Sequence, residues 1–324
     1  MSNTNNTLTA VPGIQVGHVT HVEAATGCTV VLCPAGTVGG VDVRGGAPGT
    51  RETDLLRPMH RVEHINAIVL SGGSAYGLAT ADGVMRYLLE QQIGYRTRTG
   101  HLVPIVSAAI VFDLALGASD VFPDAAMGYA ASAAANSDPV AQGNVGAGMG
   151  CRVGAMLGNA YASKGGLGSD AVYLPDGVVV AALVAVNAVG DVVDEQGRIL
   201  AGVRQPPDGA SFPGMLNLWR NPPDMQQPAL GTAENTVIGV VATNARLSKE
   251  ETNKVASMAH DGLARAVVPS HTMYDGDTLF ALATGAVPVD VNLIGAYAAE
   301  VTASAIRNAV RHAETYANVR GLKT

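Results

Sequence analysis

Glu234-Asn235-Thr236-Val237-Ile238-Gly239-Val240-Val241-Ala242-Thr243-Asn244 is the stretch on which the reading of this chain turns. Upstream, Arg204-Gln205-Pro206-Pro207, Pro213, Pro222-Pro223, Pro228 and Gly231 interrupt any periodicity, so the segment reads as an exposed loop. Downstream, Val237 to Ala242 is apolar and largely β-branched, the pattern of a strand buried on both faces. A threonine therefore stands where a long loop meets the head of a core strand. That placement suits a chemistry in which the Thr236 hydroxyl attacks the Asn235 carbonyl, the peptide becomes an ester, and water releases a chain beginning at Thr236. A terminal threonine carries its own base, because an α-amine has a reference pKa of about 7.7–8.0. The alternative reading is an ordinary turn followed by an ordinary strand residue.

A second stretch, Ser270-His271-Thr272-Met273-Tyr274-Asp275-Gly276-Asp277-Thr278-Leu279-Phe280-Ala281-Leu282, is an acidic turn running into another apolar strand. Asp275 and Asp277 are two apart, so in an extended backbone they share a face and could both reach a nucleophile on a neighbouring strand. A solvated Asp-Gly-Asp turn is the plainer alternative. A calcium loop fits less well, because the regularly spaced further oxygen ligands of an EF-hand are missing.

With both stretches in view, the chain resembles the self-cleaving DmpA-type aminopeptidases, and within them the branch containing the nylon-oligomer (6-aminohexanoate-oligomer) hydrolases. Asn235 to Ala245, His271-Thr272 and Asp275 to Ala281 carry the resemblance, together with Pro12 to His18, Val43 to Gly49, Leu70 to Leu78 and Gly146 to Met149. The resemblance implies a four-layer αββα sandwich of the N-terminal-nucleophile kind and cleavage between Asn235 and Thr236 into fragments 1–235 and 236–324. Thr236 then matches the nucleophile, Asp275 and Asp277 the acidic pair that orients and polarises it, and Asn187 an oxyanion-site asparagine. It also implies a homo-oligomer, a tetramer of processed heterodimers. One position departs: where the family commonly carries a lysine after a glycine, this chain has Ala155, which neither holds charge nor donates a hydrogen bond. Substitution by Arg152 or Lys164, a mutation that traps the precursor, and an imperfect alignment are the open explanations.

The rest of the chain bounds these readings. At 324 residues with 48% hydrophobic content it can bury a sizeable core, and with 4% aromatic residues and 39 glycines that core must be built from Ala, Val, Leu and Ile with closely packed backbones. A formal net charge of -7 argues against nucleic acid as a partner, since phosphate binding needs a basic face. Cys28, Cys33 and Cys151 form no CxxC pair, which leaves buried thiols in a reducing compartment as the expectation. The polar start, Met1 to Thr7, lacks the apolar core of a signal peptide, and no apolar run reaches membrane-span length. A cytoplasmic protein with no membrane partner is expected.

Several further motifs carry weaker signals. Gly39-Gly40 and Gly45-Gly46 beside Arg44 and Arg51 could hold an anion on backbone amides, although tight turns or part of a substrate pocket are the plainer roles. His60-Arg61-Val62-Glu63-His64 has an HxxEH spacing, but Pro58 before it and the strand-like Ala67 to Leu70 after it deny the long helix such ligands need. His18 and His21 read as structural. Ser71-Gly72-Gly73-Ser74-Ala75-Tyr76-Gly77 sits between a strand and a helix, as a serine nucleophile elbow would, yet Tyr76 stands where G-x-S-x-G needs glycine, and Ser74 reads more simply as an N-cap of a helix from Leu78 to Gln92.

Elsewhere the pattern predicts a strand over Leu102–Val106, a helix over Asp124–Ala135 and a loop over 136–142, then strands joined by turns from Gly146 to Val189. Near the end it predicts a helix capped by Ser248 and Glu251 and reaching Ala266, and a last helix over Asn292–Tyr316 with Arg307, Arg311 and His312 outside. Clustered strands and blocked helices give an α+β chain of one domain, 1–324. The function expected is a self-processing amide hydrolase that needs no cofactor and no metal. Its substrate would be either a short peptide or amino-acid amide, or an ω-amino-acid oligomer. The rival is a non-catalytic or trapped-precursor relative that binds a small amide ligand.

Overall fold

The computed structural model describes residues 5–205, 209, 211–222 and 235–323. The loop expected over 206–208, 210 and 223–234 lies outside the described residues.

Two five-stranded sheets dominate. The first runs, edge to edge, Gln15–His21, Thr26–Leu32, Ala67–Ser71, Val106–Ile110 and Thr50–Arg51; the second runs Gly166–Tyr173, Val179–Asn187, Thr236–Arg246, Thr278–Pro288 and Val38–Val43. Both are mixed: Ala67–Ser71 pairs parallel with Val106–Ile110, and Thr236–Arg246 parallel with Thr278–Pro288, while the other neighbours are antiparallel.

The period of two in the strands sorts their side chains into layers. From Val179–Asn187, Ala181, Leu183 and Ala185 meet Val31, Ile68, Leu70 and Ala109 of the first sheet. The intervening Val180, Ala182, Val184 and Val186 meet Val255, Ala259 and Leu263, and Ile294, Ala298 and Ala305, from two long helices. Leu279 and Ala281 likewise face those helices, and Phe280 and Leu282 face the first sheet. On the far side of the first sheet, Val30, Val69 and Ala108 pack on Val84, Leu88 and Ala131. The helices are α1 (Thr80–Glu90) and α2 (Ala125–Ala133) on that face, the short α3 (Met215–Arg220), and α4 (Lys249–Ala266) and α5 (Val291–Arg311) on the other. The result is the αββα sandwich, with the Thr236 strand buried on both faces.

The glycine content lets backbones touch. A Cβ on Gly168 would lie 2.1 Å from the Ala305 carbonyl of α5, and one on Gly262 only 1.9 Å from the Ala299 carbonyl, so α5 rests directly on the sheet and on α4.

Local signals place most helix starts. Ser248 and Glu251 form a reciprocal capping box on α4, Asp124 caps α2 through Met127 N–H, and Asp290 caps α5. Elsewhere the structure corrects the sequence reading. Ser74 does not cap a helix: at φ +52° it opens a 3-10 turn, Ser74–Ala79, and α1 begins only at Thr80. The strand expected over Leu102–Val106 divides at Pro104, which has no N–H to give a ladder; Leu102–Val103 pairs with Tyr95–Arg96, and the core strand begins at Val106. The segment read as loop after Arg204 contains α3, held by buried Met215 and Leu218. The last helix ends at Arg311, and Arg307 turns inward: its Nε–H donates to Val193 O at 2.9 Å and its Nη1–H to Glu195 at 3.0 Å.

Candidate active site

Thr236 opens the central strand of the second sheet, and its neighbours there are set by register. Across the antiparallel pair its partner is Asn187, the last residue of its strand, so the two side chains share a face. On the parallel side, the strand beginning at Thr278 is preceded by the acidic turn, and Asn235 forms a bridge with Asp275. The bridge comprises Asn235 N–H donating to Tyr274 O at 3.1 Å and Gly276 N–H donating to Asn235 O at 3.0 Å. The Thr236 hydroxyl donates to the carbonyl oxygen of Asn235, the residue just before it. Both residues are buried, and neither the oxygen nor the nitrogen of the Asn235 side-chain amide meets a partner among the described residues.

The two carboxylates flank this bond without touching the hydroxyl. Asp277 Oδ1 accepts from Val237 N–H at 2.9 Å, and Oδ2 accepts from the His271 main chain at 3.0 Å and from His271 Nδ1–H at 2.8 Å. Asp275 Oδ2 accepts from Thr272 N–H at 3.0 Å and Thr272 Oγ1–H at 2.6 Å, while Val189 N–H lies 3.4 Å from Oδ1. Asp277 thus holds the residue after Thr236, and Asp275 holds the turn that pairs with the residue before it. Burial, and then the neighbouring Asp277 charge, push Asp275 up to about 6. The His271 ring stands edge-on to the His260 ring at 4.9 Å. Burial brings His260 down to about 4, so it is neutral at neutral pH while its Nε2–H donates to Asp42 O.

Behind Asn187 lies a buried polar cluster. Asn187 Oδ1 accepts from Arg152 N–H at 2.9 Å, and its Nδ2 donates to Phe112 O at 3.0 Å. The next residue, Asp113, accepts from Thr26 Oγ1–H and Gly73 N–H, both at 2.7 Å, and burial raises its pKa. Lys164 is fully buried; its ammonium donates to the carbonyls of Gly148, Cys151 and Gly165 at 3.2, 3.0 and 3.0 Å, and burial lowers its pKa to about 8. Ala155, by contrast, packs against Ala25, Leu116, Ala162 and Val319 in a separate apolar cluster. The Gly154 N–H just before it donates to Ala188 O at 3.0 Å, one residue past Asn187, so position 155 borders this centre without supplying a charge, and the buried lysine beside it is Lys164.

The turn is backed by the glycine pair. Arg44 and Gly45 N–H groups reach Asp277 O, Gly46 N–H reaches Thr272 O and Ala47 N–H reaches Asp275 O. Those amides are spent on carbonyls. The guanidinium of Arg44 is engaged by Asp42 and Ser257, and that of Arg51 by Asp82, so the anion-site reading fails. The HxxEH histidines diverge: His60 lines a surface pocket with Pro58, Lys249 and Glu250, and His64 a different cleft with Arg61, Asn66 and Arg96. Cys28 and Cys151 are buried thiols held up to about 12.

The sequence reading therefore brings Thr236, Asn235, Asp275, Asp277 and Asn187 to one place, and it missed the groups that hold them. His271 and Thr272 carried part of the family resemblance, but no role was assigned to either. A histidine six residues before an aspartate is no signal until the turn closes on itself.

Two mixed sheets face to face between helix pairs, with a buried threonine at the head of a central strand, make the layered αββα class in which N-terminal-nucleophile hydrolases are built. Two solved structures superpose over nearly the whole chain. A β-aminopeptidase of Burkholderia sp. has a TM-score of 0.72 at 22% identity, covering 98% of this chain and 91% of that one. An L-aminopeptidase D-Ala-esterase/amidase of Ochrobactrum anthropi, described as a variant of the Ntn hydrolase fold, has a TM-score of 0.73 at 19% identity, covering 99% and 91%. The chain belongs to Peptidase family S58, which it matches over residues 6–324. An uncharacterized aminopeptidase of Mycobacterium tuberculosis is 44% identical, covering 97% of this chain and 96% of its own. A 6-aminohexanoate-oligomer endohydrolase of Paenarthrobacter ureafaciens is 34% identical, covering 92% and 84%. The DmpA-type resemblance is borne out, and the protein is a hydrolase of the peptidase or amidase kind. No helix among the described residues is long and apolar enough to cross a membrane.

Proposed function

We propose that the protein is a self-processing amide hydrolase whose nucleophile is Thr236. The observation that carries the reading is the Thr236 hydroxyl resting on the carbonyl of Asn235, inside a buried turn that fixes both residues. In self-processing, Oγ1 bonds to the Asn235 carbonyl carbon, the Asn235–Thr236 C–N bond breaks, and the hydroxyl proton passes to the departing nitrogen, which becomes the Thr236 amine. Water then adds to the ester, leaving a carboxylate at Asn235 and a free hydroxyl at Thr236.

Fragments 1–235 and 236–324 remain together, because the Thr236 strand lies between Val179–Asn187 of the first fragment and Thr278–Pro288 of the second, and the latter also pairs with Val38–Val43. The same hydroxyl, with the Thr236 amine as base, next attacks the substrate carbonyl. Asp277 positions it through Val237, Asp275 through the turn, and Asn187 donates its side-chain amide to the oxyanion from the same face, an interaction worth about 3 kcal/mol where such donors have been removed.

The substrate is an amide: a short peptide or amino-acid amide, as the aminopeptidase names of relatives suggest, or an ω-amino-acid oligomer, as in the 6-aminohexanoate-oligomer relative. The rival reading, a non-catalytic or trapped-precursor relative that binds a small amide, predicts one intact chain instead of two fragments. Intact mass with N-terminal sequencing tests the proposal. A small fragment beginning Thr236-Val237-Ile238 is expected, and Thr236→Ala should abolish both it and amide hydrolysis. A fragment beginning elsewhere would remove Thr236 from its role.

A further inference from the structure

The acidic turn offers the residue on the acyl side of the broken bond a main-chain slot, and we infer that this slot is used twice, by Asn235 in self-cleavage and by the acyl residue of the amide substrate in turnover. The inference rests on the proposed role of Thr236. Its basis is the one-residue parallel bridge, in which the Tyr274 carbonyl accepts from the Asn235 N–H at 3.1 Å and the Gly276 N–H donates to the Asn235 carbonyl oxygen at 3.0 Å. That oxygen becomes the oxyanion when Thr236 attacks. The Gly276 amide is therefore already aimed at the atom where negative charge develops, a contact that strengthens in the transition state.

Three features show the slot to be built rather than incidental. The turn carrying it is held from behind by main-chain bonds from Arg44, Gly45, Gly46 and Ala47, so the donor is fixed before reaction. Residue 276 must lack a side chain: a Cβ there would lie 2.6 Å from Ala47 O and 2.9 Å from the Thr236 hydroxyl oxygen, in the space through which that oxygen approaches the carbonyl. The Asn235 side chain is buried beside the slot, and among the described residues the bonds that hold Asn235 there run to its main-chain N–H and carbonyl and not to its side-chain amide.

After cleavage the same pair of groups serves a substrate. An acyl residue in the place of Asn235 donates its own N–H to Tyr274 O and receives the Gly276 N–H on its scissile carbonyl, which puts the carbonyl carbon where Thr236 Oγ1 reaches it. The slot recognises main-chain atoms alone. It therefore selects acyl residues that carry a nitrogen donor at strand spacing from the carbonyl, as an α-amino acyl group does, and it sets the longer spacing of an ω-amino acyl group at a disadvantage.

Two measurements test the inference. In the first, glycolic acid replaces Gly276, so that a main-chain ester deletes the N–H without adding a side chain, and self-cleavage is followed by intact mass. A rate lower by about a hundredfold is expected, the usual cost of one oxyanion donor; a rate within about threefold of the native chain would overturn the first use. In the second, the processed native protein is given an α-amino acyl amide and its analogue with oxygen in place of the acyl nitrogen. A kcat/KM at least tenfold lower for the oxygen analogue is expected, and equal values would overturn the second use, whether or not the ester chain folds. Failure of the Thr236 reading looks different: the native chain would show no break at Thr236, which would overturn the slot along with it.

Discussion

Replacing Asp277 by asparagine removes one oxygen from a carboxylate that serves three donors, and the hydrogen bonds around that carboxylate set the cost. The asparagine has one carbonyl oxygen to offer. If it stays on Val237 N–H, the new NH2 faces His271, whose ring can change tautomer and accept but whose main-chain N–H cannot. If the amide turns over, Val237 N–H loses its acceptor instead. Either way one buried N–H is left unpaired, at about 1–3 kcal/mol, and the surviving bonds lose their ionic component, at roughly 1 kcal/mol each. The sum is about 3–5 kcal/mol, placed on the residue next to the nucleophile. A fall in kcat of about 10²–10⁴ is expected, with a smaller change in KM, because the lost positioning belongs to the transition state.

Asp275→Asn combined with Asp277→Asn should be little worse than the more damaging single change, since both hold one turn. The assay is steady-state kinetics on chains whose Thr236 has been freed by a tag protease from a co-expressed small fragment, so that failed maturation is not read as failed catalysis. Native-like melting together with kcat within threefold of native in both single variants would refute the reasoning.

Asp275 holds its proton more tightly folded, at about 6, than at its ordinary 3.8, so its contribution to stability declines as pH rises through that interval while the ionised form needed for positioning appears; melting temperature against pH should lose part of this slope in Asp275→Asn, and the self-cleavage rate of the native chain should rise over the same range. Lys164→Met strands the carbonyls of Gly148, Cys151 and Gly165, so about 2–4 kcal/mol of stability should go in denaturant unfolding. Because burial lowers Lys164 from 10.5 to about 8, the native chain should also gain stability over that variant as pH rises between those values; a pH-independent difference would mean that burial leaves the lysine's pKa where it is in the unfolded chain. His271→Phe keeps a ring beside His260 but deletes the bond to Asp277, and self-cleavage followed by intact mass should slow about tenfold; an unchanged rate would make His271 a packing residue.

The features legible in the sequence were those written in neighbouring residues. The apolar run after Thr236 marked a strand buried on both faces, the Ser248–Glu251 spacing marked the start of α4, and the pair of aspartates around one glycine marked a turn against a strand, because strand period, capping and turn chemistry act over a few residues. The four layers and the gathering of Asn187 with Thr236 came from resemblance. Which groups meet was settled by the packing of distant segments. Arg307 looked external by helical period, yet the Val193 carbonyl and Glu195 draw it in. Lys164, one of the candidates for the missing charge, is fully buried with its ammonium on three main-chain carbonyls, which no local pattern announced. The Gly276 amide carries no side-chain signal at all, and its aim at the Asn235 carbonyl exists only because the parallel pairing of two distant strands fixes the turn between Thr272 and Asp277 against the head of the Thr236 strand. Bonds between segments far apart in the chain depend on register and layer packing, which are settled by the burial of the whole core and not by any one stretch of residues.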